Sequence, residues 1–438
     1  MTRPVPIDDA MQLRLSRRGL LRRMALGGGV AACGAVGWRQ SASAVTRLTV
    51  LAPLPPDPAP PGVGGFGDVE LDQWEEAHDA RVSYRTMPWR DLRETLRADL
   101  SSGDRLYHVV YTCGWIPELS EYLAPLRELM PEDLRADLPE SSLKAVTWDG
   151  EVRGVGFTLS LLTLFYNREH LEQAGFEEPP RTWEELKAAA AELTRDGRFG
   201  WVQNYGEAAG LGGVTSYWMA FLQQAGGTMY GEDGLPVFHG DEGVAALQMM
   251  IDLMPYSDPQ SLEHRGINDA TTALMAGNAS MMMNWPFMWQ PAQDPAMSRI
   301  VGRLGAAVLP AGPAGTASVD SADAWAIPTA TRSRRLAWRL IEFYLSPEIQ
   351  KQQAIETGWL PIRLSTLADP EVQQAVTIAP VVMEQAQHPY DSFLVPEYDE
   401  VTLALGTEIQ QALRGQKSPR EALTAAAEAV TAIVKARS

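Results

Sequence analysis

The chain has 438 residues, 45% of them hydrophobic and 8% aromatic, which is enough for more than one core-forming unit. Its 37 Lys plus Arg stand against 55 Asp plus Glu, a formal charge of -18, so most of the surface repels nucleic acid and anionic lipid. The two cysteines, Cys33 and Cys113, are too few and too differently placed for a disulfide framework or a thiolate-built zinc or iron–sulfur site.

Read from its start, the chain first carries an address. Ser16-Arg17-Arg18-Gly19-Leu20-Leu21 precedes a short Gly-rich apolar segment, the order of an export signal of the twin-arginine kind. Two processing points compete. Val30-Ala31-Ala32-Cys33 has the form of a lipobox, which would put a lipid on Cys33 and hold the protein to the outer face of the membrane; Ala42-Ser43-Ala44 has the form of an ordinary cleavage site. Either route delivers the protein outside the cytoplasm, and residues 1–44 are set apart from the fold.

From Val45 onward short β-like runs alternate with helical periodicity. Strands are expected at Arg47 to Leu51, Val82 to Arg85, His108 to Thr112, Leu161 to Tyr166, Met281 to Met283, Ala306 to Leu309 and Ala324 to Ile327. Thr182-Trp183-Glu184-Glu185 is a capping box that opens a helix with Trp183, Leu186, Ala190 and Leu193 on one face, ended by Gly197. Asp241 caps a helix whose stripe is Val244, Leu247, Ile251 and Met254, ended at Pro255. Further helices run from Arg334 to Leu345, from Ser346-Pro347, and from Ser418-Pro419-Arg420-Glu421. Such alternation predicts α/β architecture with mostly parallel sheets.

The Pro- and Gly-rich stretch Pro53 to Gly67 contains Gly62-Val63-Gly64-Gly65-Phe66-Gly67, a match to the dinucleotide fingerprint. It is set aside because a proline-rich insertion separates its first glycine from the strand, whereas the fingerprint needs that glycine at the strand's end. No metal, cofactor or catalytic motif is present: the six histidines are scattered and no Walker sequence, H-E-x-x-H pair or nucleophile elbow occurs. Paired carboxylates are identified by separation in space, so counting leaves open an exported carbohydrate-active enzyme.

Several stretches, in order, resemble the family 1 extracellular solute-binding proteins, the sugar receptors of ATP-driven importers. They include "MPWRDLRETLRADLSSGD" (87–104), "DGEVRGVGFTLSLLTLFYNREHLEQAGFEEPPRTWEEL" (149–186), "ALMAGNASMMMNWPFMW" (273–289), "AWAIPTATRSRRLAWRLIEFYLSPEIQ" (324–350) and "TGWLPIRLSTLADPEV" (357–372). The resemblance implies a two-lobed periplasmic-binding-protein-like fold of type II, with a hinge crossed three times near Phe157 to Thr163, Ala307 to Pro310 and Leu364 to Asp369. One lobe would then hold 45–158 plus 308–367 and the other 159–307 plus 368–438. It further implies a monomeric, non-enzymatic binding protein without a cofactor, whose partners are a small carbohydrate and the membrane subunits of an ABC permease.

Asn284-Trp285-Pro286-Phe287 and Leu360-Pro361-Ile362-Arg363 resemble the trehalose and maltose branch. Carried over from it, Trp285 and Phe287 stack on a sugar, Asn284 and Arg363 bond its hydroxyls, and Gln203, Asn204 and Glu207 add partners from the second lobe. Tyr398 is a further stacking ring, and Phe66, Asp68, Trp115 and Ser160 complete the set. Two alternatives stay open: Trp285 and Phe287 pack between helices, and Arg363 forms an ion pair with Asp369 or Glu371 at the hinge. Cys113-Gly114 stands where the branch often has Asp, and the usual Asn near Ser160 is missing, which counts against trehalose itself. An anionic sugar derivative or a glycerol phosphodiester is the other ligand class that Arg363 would suit. A structural adhesion protein is the remaining class, distinguished by having no ligand-dependent change of shape.

Overall fold

The computed structural model describes residues 45–53, 71–210, 212–264, 267–388, 390–391 and 394–437. The readings on Cys33, Ala44, Phe66, Asp68 and the glycine-rich loop lie outside the described residues.

In chain order the strands of the two main sheets are β1 (Thr46–Pro53), β2 (Ala80–Met87), β3 (Val109–Thr112), β4 (Val155–Gly156), β5 (Thr163–Asn167), β6 (Phe199–Trp201), β7 (Ala279–Asn284), β8 (Leu304–Ala307) and β9 (Ala324–Ala326). The helices that matter below are α1 (Trp89–Ser101), α2 (Ile116–Leu119), α3 (Trp183–Leu193), α4 (Val214–Gln224), α5 (Asp241–Leu253), α6 (Pro347–Thr357), α7 (Tyr398–Leu413) and α8 (Pro419–Arg437). One sheet has the order β2-β1-β3-β9-β4 and the other β8-β5-β7-β6, so the chain has two sheet-containing lobes.

Pairing is parallel for β1 with β2, β1 with β3, and β6 with β7. It is antiparallel for β9 with β3 and β4, and for β5 with β7 and β8. The sheets are therefore mixed where mostly parallel ones were expected. The antiparallel strands adjoin the segments that pass between lobes, and a chain arriving from the other lobe enters its sheet from the opposite end.

The apolar runs decide which strands are central. In β1, Leu48, Val50, Leu51 and Ala52 are fully buried, and every residue of β7 is buried. Met281 and Met283 pack with Trp201, Tyr217 and Trp218 on one face of the second sheet, while Met282 packs with Phe165, Met288 and Trp289 on the other. Alternation along the strand thus spends all three methionines on two cores.

Helix boundaries follow their caps. The Thr182 hydroxyl accepts the Glu185 N–H at 3.2 Å and α3 buries Trp183, Leu186, Ala190 and Leu193 as expected, but it ends at Leu193, short of Gly197. At α8, the Glu421 carboxylate accepts the Ser418 N–H at 2.9 Å and the Ser418 hydroxyl receives the Glu421 N–H at 3.3 Å, a complete capping box. In α5 the expectation fails in detail: Gly240 is the N-cap, Asp241 makes no capping bond, and the buried face is Gly243, Ala246, Leu247, Met250 and Leu253. The stripe is turned by about one residue because a Cβ on Gly243 would lie 1.8 Å from the Phe238 carbonyl oxygen, and only glycine permits that approach.

Candidate ligand-binding site

On the first lobe an aromatic wall forms at the carboxyl end of β3. The Tyr111 ring meets Trp115 at 6.0 Å, Phe157 at 6.2 Å and Trp325 at 6.2 Å, each edge-on, and Phe157 stacks on Trp325 at 5.0 Å and on Trp359 at 6.1 Å. The Trp89 indole donates to the Tyr111 hydroxyl at 3.1 Å, which in turn donates to Asp323; the Ser321 hydroxyl donates to the other Asp323 oxygen. Burial raises the pKa of Tyr111 and of the Cys113 thiol, with Asp323 adding to both, so these two groups are neutral at pH 7.

On the second lobe the end of β7 is fixed by its own side chains. Asn284 donates to the Thr271 hydroxyl at 2.8 Å and accepts the Trp285 N–H at 2.8 Å, which sets the exit angle of the chain. Trp285 is only 1% exposed; its ring lies 6.0 Å from Tyr217 and its indole N–H has no hydrogen-bond partner. Asn204 donates to the Tyr217 hydroxyl at 3.3 Å and accepts the Ala270 N–H at 3.1 Å. Gln203 donates to the Met283 carbonyl at 3.0 Å, leaving its own oxygen buried and without a partner. The backbone oxygen of Glu207 receives the Val214 N–H at 2.8 Å at the start of α4, and its side chain is half-buried.

The lobes meet around Tyr398, the first residue of α7. This ring is buried, and Cys113 and Arg93 of the first lobe are among its electrostatic neighbours. The Arg93 guanidinium from α1 bonds Glu118 of α2 through Nε at 2.9 Å and Nη2 at 2.6 Å, and its Nη1 reaches Asp399 of α7. Since α7 packs on α4 and α8, that second contact joins one lobe to the other. Two crossing segments run side by side here: Leu161 bridges Asp320, and the Ser321 N–H donates to the Ser160 carbonyl at 3.0 Å. Asp320 is 3% exposed and burial pushes its carboxyl up to about 7. Phe287 packs against the cores of both sheets.

The structure thus places Trp285, Asn284, Asn204 and Gln203 at or beside the end of β7, Tyr398 beside Cys113, Trp115 against Tyr111, and Ser160 against Ser321 on the crossing segments. Arg363 is elsewhere: its Nε donates to Asp137 at 2.8 Å and Nη1 to the Leu345 carbonyl at 3.4 Å. The alternative partners expected for it are also corrected, because Asp369 and Glu371 both take Lys351 at 3.1 Å. Tyr111, Tyr217, Arg93, Asp320 and Asp323 went unread in the sequence; the Asp320-x-x-Asp323 pair ahead of a buried strand was the one available signal.

A cavity of about 320 Å³ opens elsewhere, lined by Arg168, Trp289, Gln290 and Gln293 among others. None of the expected site residues lines it. Among the described residues no group of three or more His, Cys, Asp or Glu side chains is arranged to hold a metal ion, and no helix is long and apolar enough to cross a membrane.

Known proteins agree with this architecture. A family model described as bacterial extracellular solute-binding protein matches residues 71–380. A probable amino-acid ABC transporter periplasmic-binding protein of Sinorhizobium fredii is 24% identical over 361 residues, spanning 79% of this chain and 81% of its own. Among solved structures, the maltose-bound MalE3 of T. maritima aligns with a TM-score of 0.76 and 24% identity over 87% of this chain and 98% of that one. A solute-binding protein of Agrobacterium radiobacter in complex with ribitol gives 0.75 and 23%, over 89% and 98%. With the match covering most of both lobes, the chain belongs to the bacterial extracellular solute-binding proteins.

Proposed function

We propose that this protein is the receptor of an ABC carbohydrate importer, binding a disaccharide, small glycoside or related polyol between its lobes and handing it to a permease. The proposal is supported by rings and neutral donors on each lobe, Tyr111 and Trp115 on one and Trp285, Tyr217 and Tyr398 on the other, with Tyr398 beside Cys113 and Arg93 of the first lobe. Flat rings cover the C–H faces of a pyranose, and indole and phenol groups meet its hydroxyls. The structural relatives named above hold maltose and ribitol, which supports the same ligand chemistry.

On this reading residues 45–158 and 308–367 move as one body against 159–307 and 368–438, and closure builds the surface that the permease accepts. Lipidation of Cys33 after twin-arginine export would keep the receptor beside its permease. No covalent step is required. A micromolar sugar corresponds to about -8 kcal/mol, within reach of two stacked rings at ~1 kcal/mol each and a handful of hydrogen bonds.

A thermal-shift panel of neutral sugars and polyols on the exported protein tests the proposal. A true ligand at a hundredfold excess over its Kd stabilises by about 2.7 kcal/mol and raises the melting midpoint. No shift with any carbohydrate, or steady consumption of one, would contradict it.

A further inference from the structure

We propose that the cavity lined by Arg168 and Trp289 is a second binding site, for a small organic acid that carries one carboxylate on a compact apolar body. It is separate from the candidate ligand-binding site, and it goes beyond the carbohydrate-receptor reading without depending on it. The two sites lie at opposite ends of one strand: in β5, Thr163 pairs with Asn284 beside Trp285, whereas Asn167 pairs with Leu304, which lines the cavity.

The volume of about 320 Å³ lies at the lower end of ligand-sized clefts, roughly 300–1,000 Å³. One charged side chain lines it, Arg168, in a chain whose formal charge is -18. That residue is exposed and, among the described residues, its guanidinium forms no ion pair and no hydrogen bond. Its backbone is fixed, because the Arg168 N–H donates to the Arg303 carbonyl at 2.8 Å. The carboxylates next in the chain to lining residues are Glu169 and Asp294, and neither lines the cavity. Glu169 takes Arg303 at 2.7 Å, and Asp294 accepts the Ala296 N–H at 2.8 Å.

The rest of the lining suits the same ligand. Gln293 spends its carbonyl oxygen on the Gly302 N–H at 3.1 Å, which leaves its amide N–H groups for a ligand, and the Gln290 amide and Thr377 hydroxyl add further donors. Trp289, backed by the Phe165 ring at 6.5 Å, and Leu304 supply apolar surface held in place by the core. A planar guanidinium gives two parallel donors to one carboxylate, neighbouring amides take its remaining lone pairs, and the indole and Leu304 cover the body behind it. One uncompensated cation matches one negative charge; a dianion would bring a second charge that nothing in the lining meets. The walls are segments far apart in the chain: Gln290 packs on Gly358 at the end of α6, where a Cβ would lie 3.1 Å from it, and Ala375 ends the helix Pro370–Ala375, which packs on α6.

Ligand-observed NMR titration of the intact protein with benzoate, and with benzamide as its uncharged counterpart of the same shape, tests the proposal. Benzoate is expected to bind at least about fivefold more tightly than benzamide, by a margin that shrinks as salt is added. Arg168→Gln should remove that margin and leave benzamide within about twofold of its original affinity. Thr377→Trp, which fills the cavity from the opposite wall, should weaken both probes at least about tenfold. Both positions are exposed, so each variant should melt as the parent does, and each tests the site without the other. Benzoate binding no tighter than benzamide, binding that survives both substitutions, or no binding of either probe overturns the second site. Failure of every sugar in the thermal-shift panel would contradict the receptor reading alone and leave this site standing.

Discussion

The Trp285 indole combines near-complete burial with an N–H that lacks a partner. A buried donor left unmet costs about 1–3 kcal/mol, so Trp285→Phe removes a destabilising group while keeping a flat ring. The ligand-free melting point should move little, since lost packing offsets that gain, whereas sugar affinity should fall about tenfold with the lost hydrogen bond. Equal losses in both would mark the residue as core alone. Two buried titratable groups make opposing contributions to stability against pH. Asp320, raised to about 7 by burial, keeps a proton in the fold that an unfolded chain releases near its ordinary pKa. Its contribution is complete in acid and is lost as pH rises from about 4 through 7, so Asp320→Asn should gain on the order of 2 kcal/mol at pH 8 and little at pH 4. His170, held between Asn167 and Ser280 at 3.1 Å each, is lowered to about 4 by burial and then by the nearby arginines. An unfolded chain takes up that proton from about pH 6.5 downward, so the imidazole costs stability as pH falls toward 4; His170→Gln should flatten this limb by roughly 1–2 kcal/mol. Melting curves from pH 4 to 8 measure both slopes.

Individual helices and strands were legible wherever their own residues decide them. The Thr182 and Ser418 caps, the α3 stripe and seven of the nine strands follow from local pattern, two of them shifted by about two residues, while the short β4 and β6 were not read; the capping bonds are present. Thr182→Ala should therefore cost about 1 kcal/mol in urea denaturation. What the sequence hid depends on partners far along the chain. The face of α5 is set by the Phe238 carbonyl against Gly243, and Gly243→Ala should cost more than ~2 kcal/mol, because backbone atoms cannot move aside. Arg363 finds Asp137 across 226 positions, which no local spacing announces. The ring-bearing stretch at Trp285 was readable, while Asp320 and Asp323 looked like an ordinary polar loop until the crossing segments lay side by side.

At the level of the molecule, the proposed function depends on two lobes that come together, and Arg93 is one place where one holds the other. Its two bonds to Glu118 lie within a lobe; the contact with Asp399 lies between them. Asp399 is 48% exposed, so removing it should not disturb either core, and an ion pair of this exposure contributes about 0.5–1 kcal/mol. Asp399→Asn should accordingly weaken sugar binding two- to fivefold, by faster release, with the difference shrinking at high salt. The most direct test of capture by closure is X-ray scattering through a titration with the tightest neutral sugar. A saturable compaction on addition of sugar, with the sugar recovered unchanged, is expected. A profile that stays the same at saturating sugar, or a sugar that is consumed, would contradict it.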